Sequence, residues 1–198
     1  MKSNQDVNNL IQDLTSKKID MQVRTIPYNG GAAHICYIGQ LADRQAISEM
    51  IIKPLQGHCA ENKKPVTAAY AVDNLFYADQ CQLDDDLYQV ELYVLNGQTV
   101  VLFTTDEQYV TINLKKVEKR AVKEPELMYS ERGPRDAFVE DLDTNLSLLR
   151  YRLKDGNIRI ERKQVGARTK SAVAVVYIED IANPKVVMEI NKRIEGIS

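Results

Sequence analysis

Tyr37-Ile38-Gly39-Gln40-Leu41-Ala42-Asp43 returns 140 residues later as Tyr177-Ile178-Glu179-Asp180-Ile181-Ala182-Asn183. Each copy opens on an apolar pair suited to the end of a strand. Each closes on an Asx residue, whose side chain can accept from the first free N–H groups of a helix. Upstream of the first copy, Ile19, Met21, Val23 and Thr25 alternate as a half-buried strand, and Asn29-Gly30-Gly31 supplies a turn. His34 to Ile38 is then a second strand, antiparallel to the first. Val7, Leu10, Ile11 and Leu14 precede this pair at helical spacing, and Ala46, Ile47, Met50, Ile51 and Leu55 follow it, with Asp43 as N-cap.

The surroundings of the second copy read the same way. A long helix is predicted from about Arg135 to Lys154, carrying Phe138, Leu142, Leu146, Leu149 and Leu153. Pro134 suits its first turn and Asp155-Gly156-Asn157 ends it. Ile158 and Ile160 open a strand, Gly166 marks a hairpin turn, and Ala172 to Ile178 is a buried strand. Asn183-Pro184 starts a last helix through Val187, Ile190 and Ile194. Two helix–strand–strand–helix units predict an α/β (α+β) fold of two small α/β subdomains, each with a mixed or antiparallel sheet. The division expected is 1–125 and 126–198, joined through the charged stretch from Lys115 to Ser130 that holds Pro125. Between the copies, Val66 to Val72 reads as a strand. Asp84-Asp85-Asp86 precedes a helix bearing Leu87, Val90, Val94 and Leu95, which Asn96-Gly97 ends, and Thr99 to Phe103 with Tyr109 to Leu114 forms a hairpin.

Composition narrows the function classes. The 198 residues are 44% hydrophobic and 27% charged, the balance of a folded domain. The longest unbroken apolar run, Ala172 to Ile178, is far short of the roughly 20 residues that span a bilayer. The N-terminus has no apolar stretch of the secretory kind. A net charge of −2 argues against a nucleic-acid binder. That average hides a split: 8 basic against 14 acidic residues up to Leu114, then 18 against 14 from Lys115 onward. Cys36, Cys59 and Cys81 show no CxxC spacing and read as reduced thiols in a cytosol-like compartment.

Catalytic patterns are missing. There is no GxGxxG, GxxxxGK[ST], GxSxG or HExxH. His58 and Cys59 are adjacent, so they point apart on a regular element, and no second ligand pair stands at metal-site spacing. Cys36 lies in an apolar strand, and Cys81 sits beside acids that raise a thiol's pKa. Asp84 to Asp86 lack the spaced ligands and glycine of a calcium loop, which leaves helix capping. No catalytic residue, cofactor or metal is therefore expected. Arg132-Gly133-Pro134-Arg135, at the mouth of the long helix, could hold an anion or a partner's carboxylate, or could pair with Glu131, Asp136 or Glu140. Arg150, Arg152, Lys154, Arg159, Arg162, Lys163, Arg168 and Lys170 continue a basic surface suited to a neighbouring subunit or an anionic membrane.

The C-terminal third combines Arg132-Gly133-Pro134-Arg135 with Phe138, Glu140, Leu142 and Thr144-Asn145. Leu148-Leu149-Arg150, Arg152-Leu153-Lys154, Gly166-Ala167-Arg168-Thr169-Lys170, Tyr177-Ile178 and Ile181-Ala182-Asn183-Pro184 follow. At these spacings the chain resembles the A subunits of GerA-type spore germination receptors. Tyr151 departs from the family's arginine triplet, Ser171 stands where threonine is common, and the family's multi-helix membrane domain is absent. The resemblance implies a soluble N-terminal domain with a non-enzymatic role. That domain would lie on the cytoplasmic (spore-core) side of the inner spore membrane, coupling nutrient detection to receptor assembly and ion release. It implies B- and C-type subunits and other A subunits as partners, and attachment to the membrane through a C-terminal region outside this chain. The coupling candidates are Arg132, Gly133, Pro134, Arg135, Glu140, Asn145, Arg150, Arg152, Gly166, Arg168 and Lys170. The alternative is a germinant-binding domain with the nutrient held between the subdomains.

Overall fold

The computed structural model describes residues 4–16, 20–61, 65–116 and 138–197. Its larger sheet has five strands in the order β1-β2-β4-β5-β3. These are β1 (Met21–Tyr28), β2 (Gly31–Ile38), β3 (Cys81–Asp84), β4 (Thr99–Phe103) and β5 (Tyr109–Ile112). Every pairing in it is antiparallel. All residues of β4 and β5 are buried, because helices cover both faces of the sheet's centre. On one face Ile26, Ala33, Ile35, Val101, Phe103 and Val110 meet Ile47, Ile51, Leu55, Ala68 and Ala71. On the other, Cys36, Ile38, Val100, Leu102 and Tyr109 meet Val7, Leu14, Val90 and Val94. The alternation along β2 sorts its side chains between these two cores.

The first face is covered by α2 (Arg44–Ile47), a π-helical turn (Ser48–Ile52) and α3 (Lys53–Glu61), which run on continuously, and by α4 (Ala68–Asn74). Asp43 caps this run, its carboxylate accepting from Gln45 and Ala46 N–H, both at 3.0 Å. Pro54 has no N–H to offer the Met50 carbonyl, which instead accepts from Tyr77 N–H at 3.3 Å. The second face carries α1 (Asn4–Ser16) and α5 (Gln89–Leu95).

The C-terminal third holds α6 (Leu142–Arg152), an antiparallel hairpin of β6 (Ile158–Val165) with β7 (Ser171–Ile178), and α7 (Pro184–Glu195). Asp143 of α6 pairs with Arg162 on one face of the hairpin. On the other, α7 docks through Asn191 to Glu161 at 2.8 Å and Glu195 to Lys163 at 2.6 Å. The quoted heptapeptides fold alike. Ile38 O accepts from Leu41 and Ala42 N–H, and Ile178 O accepts from Ile181 and Ala182 N–H. Asn183 caps α7 as Asp43 caps α2, accepting from Lys185 N–H at 3.0 Å.

Several expectations need correcting. Val66 to Val72 is not a strand: Thr67 accepts from Tyr70 N–H and starts α4. β3, paired to β5, went unforeseen, and Asp84 is its last residue. The acidic trio shapes the turn rather than capping α5, since Asp84 accepts from Asp85 and Asp86 N–H while α5 has no side-chain cap. The long helix begins at Leu142, capped by Asp141, and Phe138 is 64% exposed outside it. The expected boundary at 125/126, Pro125 and Arg132-Gly133-Pro134-Arg135 lie outside the described residues.

Candidate functional site

A polar cleft of about 860 Å³ opens where α6 meets the larger sheet. Its walls include Asp20 and Gln22 at the start of β1, Gly39 and Arg44 of the β2–α2 turn, and Lys116. Asp143 and Ser147 of α6 and Arg162 of β6 line the opposite side. Gly39 has a steric reason to lack a side chain. A Cβ there would stand 2.5 Å from the Arg44 guanidinium and 3.0 Å from the Gln22 amide, so glycine lets both lie over the turn.

Two contacts tie α6 across the cleft. Ser147 Oγ lies 2.9 Å from the Gln40 carbonyl oxygen and 2.8 Å from that of Asp143, so its single proton is shared between strand turn and helix. Arg150, 1% exposed, donates to Asp20 Oδ2 at 3.3 Å and to the Ile158 carbonyl at 3.2 Å. Burial lowers its pKa, while the Asp20 carboxylate opposes that shift. Its Nε is buried with no partner among the described residues. Arg159, also buried, donates to Gly156 O at 2.8 Å and ion-pairs with Glu179. Both arginines therefore donate to carbonyls of the turn between α6 and β6.

The candidates from sequence distribute unevenly. Arg150 faces the interior, and Arg159, read with it as basic surface, is likewise internal. Asn145 is a structural clasp: its amide donates to Val139 O at 2.6 Å and its carbonyl accepts from Val139 N–H at 2.8 Å. This pins the segment entering α6. Glu140 is exposed just before α6, and Arg152 is exposed near its end. Gly166, at φ +85°, sits in the β6–β7 turn with Arg168 and Lys170 exposed beside it. An eight-residue strand spans roughly 23 Å from its first to its last Cα, so this tip lies far from the turn held by Arg150. Asp20, Gln40 and Ser147 were not among the candidates that the sequence offered. Asp20 carries no local pattern, and Gln40 acts through its backbone, which no side-chain motif reveals.

Cys36 is fully buried, which pushes its thiol up to about 12. Cys81 is raised by burial and by Asp79. His34 Nδ1 lies 2.9 Å from Thr25 Oγ1, and burial lowers its pKa. Among the described residues, no group of three or more His, Cys, Asp or Glu side chains could hold a metal ion, and no helix is long and apolar enough to cross a membrane.

The fold and cleft define an α/β module built from two related supersecondary units and bridged by one helix. The chain belongs to the GerA family: the family model for the Bacillus/Clostridium GerA spore germination protein matches residues 8–198. Spore germination protein B1 of Bacillus subtilis is 30% identical over 181 residues, covering 90% of this chain and 37% of the relative. Spore germination protein GerQA of Bacillus cereus is 28% identical over 198 residues, covering 100% of this chain and 38% of the relative. The chain thus spans little more than a third of these curated relatives. The crystal structure of the N-terminal domain of the A subunit of the Bacillus megaterium spore germinant receptor GerK3 has the same fold. It superposes with a TM-score of 0.68 at 21% identity, over 99% of this chain and 73% of that one.

Proposed function

We propose that this chain is the coupling module of a germinant receptor A subunit. It lies on the cytoplasmic side of the inner spore membrane and relays nutrient detection to receptor assembly and ion release through contact alone, with B- and C-type subunits and other A subunits as its partners. We divide it functionally at 125/126, and α6 is the connection through which the two subdomains sense each other. The observation that carries this reading is the pair of α6 contacts, Ser147 to Gln40 O and Arg150 to Asp20, reaching from one unit to the other. Ser147→Ala removes the first while leaving Arg150 in place. The expected outcome is a folded isolated module with an unchanged circular-dichroism spectrum, and receptor-bearing spores whose nutrient-triggered ion release is altered. Release at the normal rate and nutrient threshold would contradict the role given to α6.

A second reading is favoured by the cleft itself. Arg44, Lys116 and Asp20 place charges of both signs around a space large enough for an amino acid or a sugar. Calorimetric titration of the module with such nutrients separates the two. Saturable heat supports binding in the cleft; its absence leaves the contact role alone.

A further inference from the structure

Four described residues carry a positive φ: Gly30 at +91°, Gly97 at +80°, Gly166 at +85° and Lys170 at +45°. In this left-handed region the Cβ of an L-residue crowds the following carbonyl oxygen, a clash that glycine escapes. Glycine meets the demand at three of the four positions. A lysine stands at the fourth.

Lys170 closes the β6–β7 turn. Val165 pairs with Ser171 in the hairpin register, which leaves Gly166 to Lys170 as a five-residue loop. Lys170 N–H donates to Gly166 O at 3.1 Å, and Thr169 Oγ1 lies 3.4 Å from Val165 O. A Cβ on Gly166 would stand 2.5 Å from Thr169 Oγ1, so glycine there lets the threonine fold back over the turn. The loop's own contacts thus fix its shape. A left-handed residue at the end of a hairpin loop is ordinarily glycine or asparagine, the two that tolerate that conformation best.

Lysine offers the backbone neither advantage, so what sets it apart at this position is its ammonium group. Residues held in sparsely populated backbone conformations cluster where a side chain makes a functional contact. The charge around Lys170 is of one sign: Arg162 to Ile178 contains no acidic residue. Asp143 engages Arg162 and Glu195 engages Lys163. Arg168 and Lys170 are exposed and have no ion-pair partner among the described residues.

We propose that Lys170 is the contact residue of this tip, its ammonium pairing with a carboxylate on the surface of a neighbouring receptor subunit. The inference rests on the coupling role above and supplies the chemistry of that contact. A loop of fixed shape presenting one compact point charge suits a single directional ion pair. An anionic lipid surface makes no such demand. It attracts clustered basic residues through their summed charge, and a lysine on relaxed backbone would serve it equally well.

Lys170→Gly separates strain from contact. In this chain alone the substitution relaxes the left-handed position, so the folding equilibrium constant from urea titration should rise by about fivefold. In spores whose receptor carries the same substitution, nutrient-triggered ion release should slow by on the order of tenfold. Lys170→Arg keeps the charge and should keep most of the release. Carbodiimide, which condenses an amine with a carboxylate in contact with it, gives a second readout on membranes of the parent spores. Mass spectrometry should find a peptide joining Lys170 to an aspartate or glutamate of a neighbouring receptor subunit. A Lys170→Gly chain less stable than the parent overturns the proposal, and so does release at the parent rate or the lack of that cross-linked peptide. Anionic vesicles that sediment the parent chain but not Lys170→Gly would also overturn it, by assigning the residue to lipid. Altered release in Ser147→Ala spores with parent release in Lys170→Gly spores would sink this contact alone and leave the coupling role standing.

Discussion

Arg150 holds its place through the Asp20 carboxylate and two backbone carbonyls of the turn after α6, and so acts as a joint rather than a surface charge. Replacing it with methionine keeps most of the volume but leaves those acceptors without their donor. Arg150→Met is expected to lower unfolding stability by about 3 kcal/mol, read from urea titration of the isolated module. Asp20 is 29% exposed, so Asp20→Asn should cost less than about 1 kcal/mol. His34 carries a pH signature. Its folded pKa is depressed by burial below the ordinary 6.5, so the unfolded chain binds the extra proton. The stability it contributes is fully present above about pH 6.5 and is lost as pH falls through that value toward the folded pKa. His34→Gln, which does not titrate, should flatten the fall in melting temperature between pH 7 and pH 5; an unchanged slope would assign it to other groups.

The repeated elements are where sequence and structure agree most closely. Both heptapeptides bend through the same pair of bonds to Ile38 O and Ile178 O, and both end in a working Asx cap. Asn183→Ala should destabilise α7 by about 1 kcal/mol, detectable as faster amide exchange in α7 with β1 to β5 unchanged. Local chemistry of this kind is written in adjacent residues and was readable. The misread elements depend on distant partners. Val66 to Val72 has an apolar composition that suits a strand, but Thr67 caps a helix there and Ala68 and Ala71 bury against β-strands far away in sequence. Among the described residues β3 pairs only with β5, and its sequence is undistinguished, so its existence rests on that strand. The bridging contacts of α6 were illegible for the same reason: Ser147 reaches Gln40 across 107 residues.

At the scale of the whole molecule, the two halves share a supersecondary plan but differ in what covers it. The first is a closed sandwich with cores on both faces of its sheet, while α7 of the second has no buried residue. Of the coupling candidates on described residues, Glu140, Arg152, Arg168 and Lys170 are exposed, the last two at the β6–β7 tip. Under the proposed coupling role, the β6–β7 tip meets a neighbouring subunit, and the decisive measurement is nutrient-triggered ion release from spores whose receptor carries this module with Arg168→Glu. Strongly reduced release at normal receptor abundance is expected, with the isolated variant as stable as the parent. Release indistinguishable from that of parent spores would contradict it.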